Sequence, residues 1–146
     1  MACDTNDTLQ MPADVEAFAR GYTAAWNNHD PEGVAAFYAS SGALTVNDGE
    51  PAVGREAVAG VVRSFIDAFP DLVLINLSNE DVDGRIRYHW RFLGTNTGSE
   101  GTGVAVDFSG FEAWVFNDQG LIIDSQGSFD EADYERQLGA GVSKAP

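Results

Sequence analysis

Glu112 is the residue with the clearest chemical potential. It lies in the run Gly110-Phe111-Glu112-Ala113-Trp114-Val115-Phe116, an acid inside a stretch otherwise suited to burial. Strand alternation places it on one face with Phe108, Gly110, Trp114 and Phe116. A carboxyl among rings is desolvated, so its pKa rises and it can stay protonated and donate a hydrogen bond. The other reading is that Glu112 faces solvent or pairs with an arginine such as Arg91. Tyr22 is the second candidate: its ring packs and its hydroxyl points into a cavity, unless it is an ordinary core tyrosine. Ser125 shares the cavity face of its strand, but no His–acid pair is at hand to activate it, which leaves a polar contact. Neither His29, at a helix end, nor His89 has metal-ligand spacing with Cys, Asp or Glu, so no metal and no other cofactor is expected. The Gly-rich run Thr95 to Gly103 precedes no helix and lacks a phosphate-loop lysine. It reads as a hairpin at the mouth of a pocket.

The elements that must hold these groups follow from periodicity. Val15, Phe18, Ala19, Tyr22, Ala25 and Trp26 recur at helical spacing after Pro12. Asp30 caps and Pro31 opens a short second helix with an apolar face of Val34, Phe37 and Tyr38. Ala43 to Val46 is a short strand, ended by the turn Asn47-Asp48-Gly49. A third helix, Arg55 to Ala68, carries Val58, Val61, Val62, Phe65, Ile66 and Phe69 and is stopped by Pro70. Four strands follow: Leu72 to Leu77, Arg85 to Leu93, Val104 to Phe116 and Leu121 to Phe129. A last short helix spans Asp130 to Leu138. Consecutive strands on short turns are antiparallel, and helices gathered at the N-terminus pack on one face, an α+β arrangement. Ile86, Tyr88, Trp90 and Phe92 share the apolar face of their strand. Arg87, His89 and Arg91 take the other. In the last strand Leu121, Ile123, Ser125, Gly127 and Phe129 are expected on one face, with Asp124, Gln126 and Ser128 opposite; a different register would turn Asp124 or Gln126 inward.

Composition bounds the rest. A chain of 146 residues fits one domain, here 12–140 between a polar tail, 1–11, and a C-terminal tail, 141–146. Twenty-three acidic residues against 8 basic give a net charge of −15. Such a chain repels phosphate backbones and anionic lipid, so neither nucleic acid nor a membrane surface is an expected partner. Many acids with Lys144 as the only lysine is also the balance expected of a halophile. Cys3 alone makes no internal disulfide. With no apolar run of spanning length and no secretory signal pattern, the expected location is the cytoplasm.

The chain also resembles a known family. The order of elements is similar to the cone-shaped fold of nuclear transport factor 2 and ketosteroid isomerase, and more narrowly to the SnoaL-like polyketide cyclases, or ester cyclases. The resemblance runs from about Val15 to Gly139. It is carried by Trp26-Asn27-Asn28-His29-Asp30, Gly54-Arg55-Glu56-Ala57-Val58, Gly94-Thr95-Asn96-Thr97-Gly98, the Gly110 to Phe116 run, the Asp118 to Ile122 turn and the closing Arg136-Gln137-Leu138-Gly139.

That resemblance implies an α+β cone-shaped roll, a curved antiparallel sheet packed on N-terminal helices. It also implies proton abstraction beside a carbonyl, with Glu112 and Tyr22 holding the enolate. The family's base at the end of the first strand falls at Asn47, with Asp48 adjacent; another family aspartate falls at Gly127. Asp48 or the substrate itself would then be the base. The implied partner is a hydrophobic small molecule touching Trp26, Asn47, Phe65, Phe69, Tyr88, Trp90, Trp114 and Ser125. The alternative is a binding module of the same shape without catalysis. The polar sheet face with Arg87, His89 and Arg91 is expected to form a homodimer.

Overall fold

The computed structural model describes residues 14–47, 49–98 and 101–140. Helix α1, Val15–Asn27, begins where the Asp14 side chain accepts a hydrogen bond from the Ala17 N–H, and it turns Ala19, Tyr22 and Trp26 inward. It ends at His29, which adopts a left-handed conformation. Asp30 then caps α2, Pro31–Ala35, with proline in its first turn. Helix α3, Arg55–Ala68, buries Val58, Ala59 and Val62. The strands are β1, Tyr38–Val46; β2, Ala52–Val53; β3, Val73–Val82; β4, Arg85–Thr95; β5, Ala105–Phe116; and β6, Ile122–Phe129. Helix α4, Glu131–Ala140, closes the described chain.

The strands form one curved open sheet in the order β2-β1-β6-β5-β4-β3. All neighbours are antiparallel except β1 and β6, which run parallel. The helices cover the concave face and the core lies between the layers. Its largest fully buried side chains include Trp114, Tyr22, Tyr38, Tyr88 and Phe69. Rings meet mostly edge to face, as Tyr22 does with Trp114 at 5.0 Å, while Tyr88 and Trp114 stack at 4.8 Å. Such pairs contribute about 0.5–1.5 kcal/mol each beyond simple burial.

Besides the short strand β2, which the sequence did not announce, and the parallel β1–β6 pair, three details depart from the sequence expectation. First, β1 begins five residues early, so Tyr38 is a strand residue and not part of the α2 face. The segment Ala39-Ser40-Ser41-Gly42 has no strand propensity of its own and is an irregularity in β1: the strand pairs with β6 at Tyr38 and again from Ala43, and these four residues bridge the register shift. Gly42 is required there, because a Cβ would lie 2.5 Å from the Ile122 carbonyl oxygen. Second, β5 and β6 slip register between Val115 and Phe116. Ile122 is therefore buried and Ile123 is turned outward, the reverse of simple alternation, while Ser125 and Gly127 keep the expected inner face. Third, β3 continues to Val82 because β4 pairs with it along its whole length.

The edge strand β3 is fixed to α1 by side chains. Asn27 accepts from the Leu74 N–H at 2.7 Å and donates to the Leu74 carbonyl at 2.9 Å, acting as a substitute strand. His29 Nε2 meets the Leu72 carbonyl oxygen at 3.1 Å. Among the described residues no helix is long and apolar enough to cross a membrane.

Candidate functional site

The concave face lines a partly open cavity of about 50 Å³. Trp26, Phe65, Trp90, Phe92, Phe108 and Phe129 supply its rings, and Gly127 lies on its wall. Glu112 is the one ionisable side chain among the described residues that line it. Alternation along β5 points Glu112 inward, and its cross-strand neighbours are Tyr88 and Gly127. Because Gly127 has no side chain, nothing from β6 screens the carboxyl from the cavity at that register.

Three donors converge on one oxygen of Glu112. Oε1 accepts from the Tyr22 hydroxyl at 2.8 Å, the Trp114 indole N–H at 2.8 Å and the Ser125 hydroxyl at 3.1 Å. Oε2 takes no hydrogen bond from the described residues and is the oxygen left for an occupant. Tyr22 has a single O–H proton, spent on Glu112, so its 3.1 Å contact with Tyr38 is donated by Tyr38. The result is a directed chain from Tyr38 to Tyr22 to Glu112.

Electrostatics follow from burial. Burial is the largest influence on Glu112 and pushes its pKa up from the ordinary value; the bonds from Trp114, Tyr22 and Ser125 hold it partly down. Tyr22 and Tyr38 are driven well above the usual phenol value, first by burial and then by the charge of Glu112. Both remain neutral donors wherever the fold persists. The Trp26 indole N–H is buried with no hydrogen-bond partner among the described residues.

The structure sorts the residues expected to touch a ligand. Trp26, Phe65, Trp90 and Glu112 line the cavity. Tyr22 does not: its hydroxyl points at Glu112, because a buried carboxylate oxygen is a stronger acceptor than any apolar wall. Trp114 and Ser125 sit behind Glu112 as its donors. Tyr88 bonds Thr23 through its hydroxyl and packs its ring on Trp114. Phe69 is in the core against Phe92 and Tyr134. Asn47 adopts a left-handed conformation, and its side chain accepts from the Phe129 N–H at 3.0 Å, joining the ends of β1 and β6. Asp48 lies outside the described residues. Asp124 faces outward and pairs with Arg85 at 3.1 Å. On the same outer face Arg91 pairs with Asp107, His89 with Glu80, and Arg87 lies over the Phe111 ring. The described residues hold no cluster of three or more metal-ligating side chains.

Sequence reasoning missed Tyr38, hidden by the unexpected start of β1. It named Trp26 but not the fate of its N–H, because periodicity reports which face a ring occupies, not where its polar atom ends up.

A family model described as SnoaL-like polyketide cyclase matches residues 16–138. No curated protein matches the chain. Solved structures share the fold. A SnoaL-like polyketide cyclase candidate from a Jannaschia species is 13% identical, with 96% of this chain and 97% of that chain covered and a TM-score of 0.75. AclR from Streptomyces galilaeus, a candidate hydroxylase, is 22% identical over 90% of this chain and 83% of its own, with a TM-score of 0.70. A protein with a ketosteroid isomerase-like fold from Catenulispora acidiphila is 14% identical over 93% and 99%, with a TM-score of 0.72.

Proposed function

The chain belongs to the SnoaL-like polyketide cyclase family, and from that premise we propose that it binds a small hydrophobic carbonyl compound and acts on it as a cyclase or isomerase, with Glu112 as the acid. The family supports a cyclase or isomerase, or a ligand-binding module, in general. The observation that carries the finer reading is a lone carboxyl in an apolar cavity, with one oxygen held by three donors and the other left over. Burial favours the neutral acid, and its proton belongs on Oε2, since Oε1 is already the acceptor. A neutral acid there hydrogen-bonds a carbonyl oxygen and stabilises the enolate that forms when the neighbouring carbon loses a proton. That proton goes to Asp48 or to a basic group on the substrate itself.

The test is a screen of enolisable ketones for deuterium exchange by NMR, with wild type beside Glu112→Gln. Glutamine keeps the shape and a weak donor but no acidic proton. Exchange should fall about 10²-fold or more with ligand affinity nearly unchanged. Equal loss of binding and exchange would favour simple binding. A binding module without turnover is the second reading. It is favoured by Asn47 being engaged with Phe129 and by Gly127 standing where the family resemblance expects an aspartate. It predicts ligand-dependent stabilisation with no exchange.

The outer sheet face is also proposed as a homodimer surface. Val73, Ile75 and Leu77 on β3 and Ile123 on β6 support it by leaving apolar side chains exposed. Sedimentation showing a monomer at all salt concentrations would refute it.

A further inference from the structure

The Trp26 side chain is 6% exposed, lines the cavity, and carries the described residues' one fully buried side-chain polar atom without a partner, its indole Nε1. A buried donor left unpaired costs about 1–3 kcal/mol, so native structures rarely tolerate one without a use. Tyr22, one turn earlier on α1, lies close enough to the indole for Trp26 to act on its hydroxyl as a hydrogen-bonding neighbour and lower its pKa, but the pair does not reach hydrogen-bond geometry. Oxygen Oε2 of Glu112 is the second unspent polar atom on the same wall.

We infer that Trp26 N–H and Glu112 Oε2 together form a two-point clamp for a single neutral carbonyl oxygen, with Trp26 rather than Tyr22 as the second donor to the ligand. The inference rests on the carbonyl-binding reading above and narrows it. An ammonium group offers the indole no acceptor, and a neutral acid gives it no counter-charge. A carboxylate could accept from both donors but would bury an unpaired charge against an apolar wall. A ketone oxygen has two lone pairs, one for the N–H and one for the acid O–H. The remaining wall is apolar, so the rest of the ligand is apolar too, and the cavity of about 50 Å³ admits only a small body unless rings such as Phe65 move. The occupant is a small enolisable ketone or the ketone-bearing end of a longer apolar molecule.

The probes are butanone and cyclopentanone, each beside the hydrocarbon in which C=CH₂ replaces C=O. The protein is the full chain, labelled with ¹⁵N and ¹³C, with its three indole N–H signals and the Glu112 carboxyl followed during titration. The ketones should shift the Trp26 indole signal and the hydrocarbons should not. Trp26→Phe, which keeps a ring and removes the donor, should weaken ketone binding about five- to tenfold and change hydrocarbon binding by less than about twofold. If Trp26→Phe does not fold, contacts to Tyr22 assign the signal and the wild-type titration decides alone. A ketone that perturbs the Glu112 carboxyl resonance but leaves the Trp26 signal unmoved overturns the clamp and spares the proposed function. Equal binding of ketone and hydrocarbon with no shift at either residue overturns both, as does no binding of either at saturation.

Discussion

Replacing Glu112 by glutamine should make the protein's stability less sensitive to rising pH, in a window set by that one carboxyl. Glutamine retains an amide oxygen for Tyr22, Trp114 and Ser125, so the hydrogen bonds to Oε1 have a successor and the titration does not. The folded pKa of Glu112 is raised from an ordinary value of 4.5, with burial the largest cause. Between that value and the raised one the native state holds a proton that the unfolded state has lost. Stability therefore falls as pH rises through this window, by about 1.4 kcal/mol for each unit of displacement. Below the window Glu112 is neutral in both states and contributes no penalty; above it the penalty is complete and constant. Urea unfolding of both proteins from pH 4 to pH 8 gives the difference directly, since every other titrating group is common to both. Wild type should lose ground to Glu112→Gln as pH rises and then level off. Two curves that stay parallel would place Glu112 in an environment like water, and the dry acid would be refuted.

Other substitutions test the surroundings. Tyr22→Phe removes a donor from Glu112 and the acceptor of the Tyr38 hydroxyl; it should cost about 1–3 kcal/mol and move the Glu112 titration further up in a carboxyl-resolved NMR experiment. Gly127→Asp places a Cβ 3.3 Å from the Thr45 carbonyl oxygen, a tight contact that β1 must relax slightly, and 3.9 Å from Glu112 Cγ; the added carboxylate should raise the Glu112 pKa and abolish ketone binding, measured by titration. Asn27→Ala breaks both bonds to Leu74 and should cost about 1–3 kcal/mol, with faster amide exchange concentrated in β3. Arg91→Ala opens an exposed, solvent-screened pair with Asp107 and should shift the denaturation midpoint only slightly, and less still in high salt.

The inward orientation of Glu112 was half legible: parity put it with Phe108, Gly110, Trp114 and Phe116, but Phe111, Ala113 and Val115 make the opposite face apolar too and left a solvent-facing reading open; the bounds of α3 were legible because its apolar stripe is unbroken. The start of β1 was not, since Tyr38 becomes strand only by pairing with Ile122, and a register irregularity separates it from Ala43. The outward turn of Ile123 was hidden for a related reason: a bulge shifts parity by one, and no residue type announces it. The role of Tyr22 was half legible. Its depth followed from helical spacing, but whether its hydroxyl served a ligand or a carboxyl depended on a strand ninety residues away. Asn47 reads as a turn residue and is one, with its amide also employed across the sheet.

The three bonds to Glu112 Oε1 differ widely in chain distance, and this has a consequence for assembly. Trp114 is 2 residues away and Ser125 is 13, whereas Tyr22 is 90. The β5–β6 hairpin can bring the first two together through local closure, while Tyr22 arrives only when the helical layer docks. Long-range contacts of this kind form late and slow folding. In a hairpin-stage intermediate the carboxyl would still be hydrated and titrate as an ordinary glutamate. Docking of α1 completes its burial and raises its pKa, so its infrared carboxyl band is a built-in clock for that step.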